Sequence, residues 1–201
     1  MLRFYSIFLI CLSFALTGCL PVFFTAATTS TLAAAKDRSI GSAIDDVKIA
    51  TMIKTAFIKN NFKELYTKIK VEVLQSRVLF TGSVDKEEDI VTAVKIAWDQ
   101  PDVTEVINEL TVDKKSNHFD LLQYTKDTMI TSQIKSKVFV HRDIKFINYT
   151  VITVNNIVYL FGIAKSEEEL EKVSNIASKI RGVGKVISHV KLKEVKPDVQ
   201  E

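Results

Sequence analysis

Residues able to do chemistry are few in this chain, and their spacing argues against catalysis. His118, His141 and His189 are far apart, and none sits at a metal-ligand spacing. His141, beside Arg142-Asp143, reads as a loop residue. Glu87-Glu88 and Glu167-Glu168-Glu169 are adjacent acids of the kind that proton transfer uses. Both runs stand where a helix should begin, however, and the positive end of the helix dipole favours acids there. Gly182-x-Gly184 is too short to be a phosphate loop. The expectation is a protein that is not an enzyme, with no catalytic residue, no metal and no cofactor.

Cys19 is different, because its surroundings give its sulfur a task. Met1-Leu2-Arg3 carries one positive charge, Phe4 to Leu16 carries none, and Leu16-Thr17-Gly18 leads into the cysteine. A charged start, an apolar run of about a dozen residues and small residues before a cut site define a secretory signal. A membrane span would need about 20 apolar residues. Leu20, Val22, Phe23 and Phe24 extend the apolar run, which keeps an uncleaved anchor helix open. Leu-Thr-Gly-Cys resembles the bacterial lipobox. That resemblance implies diacylglycerol on the Cys19 thiol, cleavage after residue 18 and anchoring by acyl chains. Leu20 in place of Asp implies the outer rather than the inner membrane, with the folded part facing the periplasm. Cys11 lies in the removed segment, so the mature chain would hold neither a free thiol nor a disulfide.

The elements behind this anchor repeat. Val78-Leu79-Phe80-Thr81-Gly82 returns eighty positions later as Val158-Tyr159-Leu160-Phe161-Gly162. At the same offset Glu87-Glu88 matches Glu167-Glu168, Ala97 matches Ala177, and Val106-Ile107 matches Val186-Ile187. Ile53-Lys54 matches Ile134-Lys135 after a one-residue gap. In the first copy Ile44, Val47, Ala50, Ile53 and Phe57 form a helical stripe. Ile69, Val71 and Val73 alternate as a half-buried strand, and Gln75-Ser76 turns into a second strand over 78–84. Asp85 to Glu88 reads as a capping box for a helix burying Ile90, Val94, Ala97 and Trp98. A last strand covers 103–112. The second copy predicts a helix over 124–138 and a hairpin of strands 149–154 and 157–162, turning at Asn155-Asn156. A helix capped by Ser166 and ended by Gly182, and a strand over 183–193, complete it. The fold class is α+β, with two tandem αββαβ copies, each placing two helices on a small three-stranded mixed sheet. The predicted divisions are a signal over 1–18, a tether over 19–43, copies at 44–113 and 124–195, a linker at 114–123 and a tail over 196–201.

Gly82 and Gly162 closing the second strands, the Glu-rich helix starts and the closing Val103-x-x-Val106-Ile107-Asn108-Glu109-Leu110 resemble the BON domain. Gly182-Val183-Gly184-Lys185-Val186 is close to the family's Gly-Val-x-x-Val, which makes Gly82, Gly162 and Gly182 the structural glycines. A lipobox before two such copies is similar to the dual-BON outer-membrane lipoproteins. Pro101-Asp102 stands where the family has Gly, and Ser188-His189 where it has Asn-Glu. Both departures read as strand-edge or turn details. The resemblance implies a non-catalytic protein that binds anionic phospholipid through the second domain and maintains the outer-membrane barrier.

Charge divides the copies independently of any resemblance. Residues 45–114 hold 10 Lys and Arg against 13 Asp and Glu, net −3, whereas residues 124–196 hold 13 against 7, net +6. Each basic residue near an anionic membrane contributes about 1 kcal/mol. The second copy is therefore the candidate for phospholipid, through Lys126, Met129, Ile130, Lys135 and Lys137 on its first helix, with Arg142 and Lys145 just after. Ile130, Ile134 and Val138, four apart, read equally well as core. Nucleic acid is not expected as a partner behind a secretion signal. The competing class is a protein-interaction module that serves envelope proteins through exposed sheet edges.

Overall fold

In the computed structural model, residues 40–59, 63–113 and 120–193 are described. The signal segment with Cys19, nearly all of the tether, most of the linker (with His118) and the tail lie outside them.

The alternation from Ile69 onward forms β1 (Ile69–Leu74), which pairs antiparallel with β2 (Arg77–Val84). The turn residues Gln75 and Ser76 have φ of 51° and 60°. Two consecutive residues with positive φ make the tight hairpin turn whose twist suits the strands. Asn155 and Asn156 repeat it at 50° and 64°, between β4 (Tyr149–Val154) and β5 (Ile157–Ala164). In each copy a helix then carries the chain across to a strand parallel to the second one. These are α3 (Glu87–Trp98) with β3 (Glu105–Val112), and α5 (Glu167–Ser178) with β6 (Lys185–Leu192). Each sheet is mixed and three-stranded, in the order β1-β2-β3 or β4-β5-β6. The long first helices are α1 (Ile40–Lys59) and α4 (Leu121–Phe139).

Helices cover one face of each sheet. Ile53, Phe57, Val78, Phe80 and Ala97 are fully buried together in the first copy. Ile134, Val138, Val158, Leu160 and Ala177 are their counterparts in the second. The other faces of the two sheets meet each other. Leu74 and Leu79 from one sheet share an apolar cluster with Ile152, Tyr159, Phe161 and Ile163 from the other. This third core explains why β2 and β5 are buried along nearly their whole length, as strands covered on both sides must be.

Several local expectations change. The αββαβ order holds, with a short helix α2 (Lys63–Lys68) and a 3-10 turn (Phe146–Asn148) added before the first strand of each copy. Residues 40–43, assigned to the tether, and 121–123, assigned to the linker, are helical. On α1 the stripe that packs inward is Asp46, Ile49, Ile53 and Phe57, while Ile44 and Val47 are exposed. Trp98 is exposed as well. The first capping box does not form, because Asp85 is drawn 2.7 Å from Lys68 Nζ and the helix starts after Lys86 with no side-chain cap. Ser166 does cap α5, accepting from Glu169 N at 3.3 Å. That helix ends at Ser178, so Gly182, with φ of 96°, shapes the following loop. Gly82 and Gly162 lie inside their strands, not at the ends. A Cβ on either would run into a backbone carbonyl oxygen, of Lys68 or of Asn148.

Candidate functional site

Two acids account for the start and the seating of α4. Asp120 caps it, its Oδ1 accepting from Gln123 N at 3.0 Å. The buried Asp127 faces inward and accepts from Asn155 N at 2.8 Å and Asn156 N at 2.9 Å. Asp46 does the same on α1, accepting from Gln75 N at 3.0 Å and Ser76 N at 2.9 Å. One carboxylate thus ties each first helix to the hairpin turn of its own sheet. Sequence reasoning missed this pair, although both acids lie in register with Ile53 and Ile134 and interrupt an apolar stripe.

With Asp127, Ile130, Ile134 and Val138 turned inward, the outer face of α4 is fixed. Leu122, Lys126, Met129, Gln133 and Lys137 follow one another at three- or four-residue steps and share one exposed flank of the helix, beside the buried stripe. Leu122 and Met129 are 74% and 57% exposed, and Lys126 and Lys137 are exposed beside them. Phe139 and Val140 at the C-terminal end are also exposed, with Phe139 edge-on to Phe146 at 5.8 Å. The predicted group therefore divides. Ile130, 3% exposed, belongs to the core and is withdrawn as a lipid contact. Lys135 is exposed but lies about 200° round the helix from Lys137. It faces Glu72 of β1, whose carboxyl burial pushes up while Lys54, Lys135 and Lys70 pull it down.

Arg142 and Lys145 are exposed in the loop after α4. This loop is held from the other side: Glu169, itself buried, accepts from Lys145 N at 2.6 Å and Lys165 N at 2.8 Å. Asp143 pairs with Lys172, and that hydrogen bond holds its carboxyl below the usual range. A recess of about 460 Å³ at the start of α5 is lined by Asp143, Glu169, Lys172 and their neighbours. Asp143 and Glu169 are thus occupied by a structural ion pair and structural hydrogen bonds. Among the described residues, no group of three or more His, Cys, Asp or Glu is placed to hold a metal ion. No helix among them is long and apolar enough to cross a membrane.

The contact between the sheets is polar at one edge. Arg77, 5% exposed, points its Nε at Glu105 Oε2 (2.8 Å) and its Nη2 at the carbonyl of His189 (3.1 Å). The Arg77 hydrogen bond, with a second from Lys191 Nζ at 2.7 Å, holds the Glu105 carboxyl below its ordinary value. His189 Nε2 lies 2.8 Å from Glu109 Oε1. The expectation for Ser188-His189 is therefore corrected: His189 sits mid-strand in β6 and joins the copies, because its face of the strand looks onto the other sheet. Lys70 Nζ reaches the carbonyl of Thr153 at 3.4 Å.

Comparison with known proteins agrees with the repeat. The model of the BON domain matches residues 45–114 and again residues 126–194. A protein of Anaplasma centrale described as "Uncharacterized protein in gshII 5'region" is 39% identical, over 76% of this chain and 98% of that one. The outer membrane lipoprotein DolP of Haemophilus influenzae is 32% identical, over 86% and 87% of the two chains. The osmotically-inducible protein Y of Escherichia coli is 29% identical, over 77% and 76%. With two matched copies whose sheets, hairpins and glycines repeat one another, the chain belongs to the BON-domain family.

Proposed function

We propose that this chain is an envelope lipoprotein, anchored through Cys19 to the outer membrane and facing the periplasm, whose second copy binds anionic phospholipid through one exposed flank of α4. On this reading it supports envelope integrity without catalysing a reaction. The observation that carries the reading is the pairing, on one helical face, of exposed Leu122 and Met129 with exposed Lys126 and Lys137. Apolar side chains of that kind enter the headgroup boundary while lysines beside them meet phosphate. Arg142 and Lys145 extend the basic surface past the helix end. The net charge of +6 on the second copy, and a relative named for an outer membrane lipoprotein, support the same reading.

The test is co-sedimentation with vesicles of phosphatidylglycerol in phosphatidylcholine. Reversing two charges on this face (Lys126→Glu with Lys137→Glu) should weaken binding at least about tenfold. Lys135→Glu, on the opposite flank, should have much the smaller effect. Undiminished binding by the Lys126/Lys137 variant would remove α4 from the account. The second reading, a module that binds an envelope protein, is favoured by Val91 and Trp98, both exposed on one face of α3. Salt-insensitive capture of one envelope protein, lost on Trp98→Ala, would support it.

A further inference from the structure

Glu109 and His189 occupy the same place in the repeat. Glu109 pairs with Thr81 in the first sheet and His189 with Phe161 in the second, each eighty positions on. These equivalent residues touch each other across the contact at 2.8 Å. Equivalent positions meet only where an interface is self-complementary, the same patch being used from both sides. The contact between the copies is therefore built as a dimer contact is built, with Glu109 and His189, on its polar edge, marking the two-fold relation between the sheets.

Its side chains have nevertheless become unequal. A first copy laid on another first copy would set Glu109 against Glu109. A second on a second would set Lys191 against Lys185, since Lys191 meets Glu105 here and Lys185 is the counterpart of Glu105. It would also leave Phe161 without its guanidinium, because Ile157 stands where Arg77 stands. Only first against second brings opposite partners together at each of these places.

We propose that these sheet faces form a heterotypic pairing surface, and that the partner it fits in trans is a second copy of this chain with the two halves exchanged. An exchanged pair repeats every contact seen within one chain, so it costs nothing at the interface. Within a dilute chain the tethered half wins by effective concentration. Crowding on a membrane shifts the balance toward exchange.

Two single variants make the test. Glu109→His sets His against His, and His189→Glu sets Glu against Glu. Each should lower Tm by about 3–8 °C. In one chain, the double variant Glu109→His with His189→Glu should regain most of that loss. When the two single variants of the full chain are unfolded together and refolded as a mixture, each supplies what the other lacks. Native mass spectrometry should then find a 1:1 heterodimer whose Tm exceeds that of either variant alone. A double variant no more stable than the worse single would remove the pairing rule. A mixture that stays as two separate monomers would remove the exchange.

Discussion

The guanidinium of Arg77 lies 5.1 Å from the centre of the Phe161 ring, stacking a charge from the first sheet on an aromatic face of the second. The same group reaches Glu105 and the His189 carbonyl, while Nη1 has no protein partner. Burying a cation so incompletely paired is a weak source of stability. Truncation and apolar replacement should therefore differ. Arg77→Ala should cost about 2–3 kcal/mol, because it leaves a void against Phe161. Arg77→Ile, which copies the second sheet's own residue at that place, should cost less than half as much. Urea unfolding of both variants decides it, and equal losses would mean the charge itself holds the sheets.

The two inward carboxylates give a second expectation. Asp127→Ala would strand the amides of Asn155 and Asn156 at a turn whose backbone is already in the left-handed region. Hydrogen bonds to a charged acceptor contribute about 1.5–3 kcal/mol each, with partial recovery from water at a half-buried site. A loss of about 2–3 kcal/mol is expected for Asp127→Ala, and a similar one for Asp46→Ala. Amide exchange at residues 155 and 156 should accelerate in the first variant, and unchanged protection there would refute the tie.

Thr81 has a fully buried hydroxyl with no protein partner. Its counterpart in the second copy is Phe161. Thr81→Val keeps the shape and removes the unsatisfied oxygen, so it should stabilise the chain by about 1 kcal/mol. A lower midpoint in denaturant would show that the hydroxyl is satisfied.

pH should act through two glutamates in opposite senses. Burial raises Glu72 above its ordinary 4.5, so its proton is held more tightly in the folded state. Its contribution is fully present below that ordinary value and is lost as pH climbs through the raised one. Glu105 is lowered by Arg77 and Lys191, so its contribution is present above the ordinary value and is lost as pH falls through the lowered one. Glu72→Gln should therefore flatten the stability profile on the neutral side of pH 4.5. Glu105→Gln should flatten it on the acid side. Thermal melts across pH 3–7 read both slopes, and a Glu72→Gln profile parallel to wild type would contradict the first.

Much of the fold was legible because the chain states it twice. The eighty-residue offset made the order of elements along the chain and both hairpin turns readable, since a pattern that recurs in register is hard to misassign. Local apolar counting did less well where a polar residue took a core position. Asp46 and Asp127 shifted the buried stripe, exposing Ile44 and Val47 on α1. The lipid-facing candidates suffered from the same limit. Ile130 and Met129 are equally apolar neighbours, and only the packing of α4 on its sheet turns one inward and the other out. His189 had announced itself as a departure from the family's Asn-Glu. Its meaning depended on Glu109, eighty residues away, and on a sheet contact that no periodicity encodes.

Because each sheet spends one face on helices and the other on its twin, the two helical layers lie on opposite outer sides. The acidic first copy and the basic second copy therefore sit on opposite sides of one body, giving it a permanent dipole moment. Near an anionic bilayer such a body experiences a torque before it makes any contact, within about 8 Å at physiological salt. On the proposed reading the basic side swings inward first, so orientation precedes adhesion, and the acidic side is left facing away from the lipid.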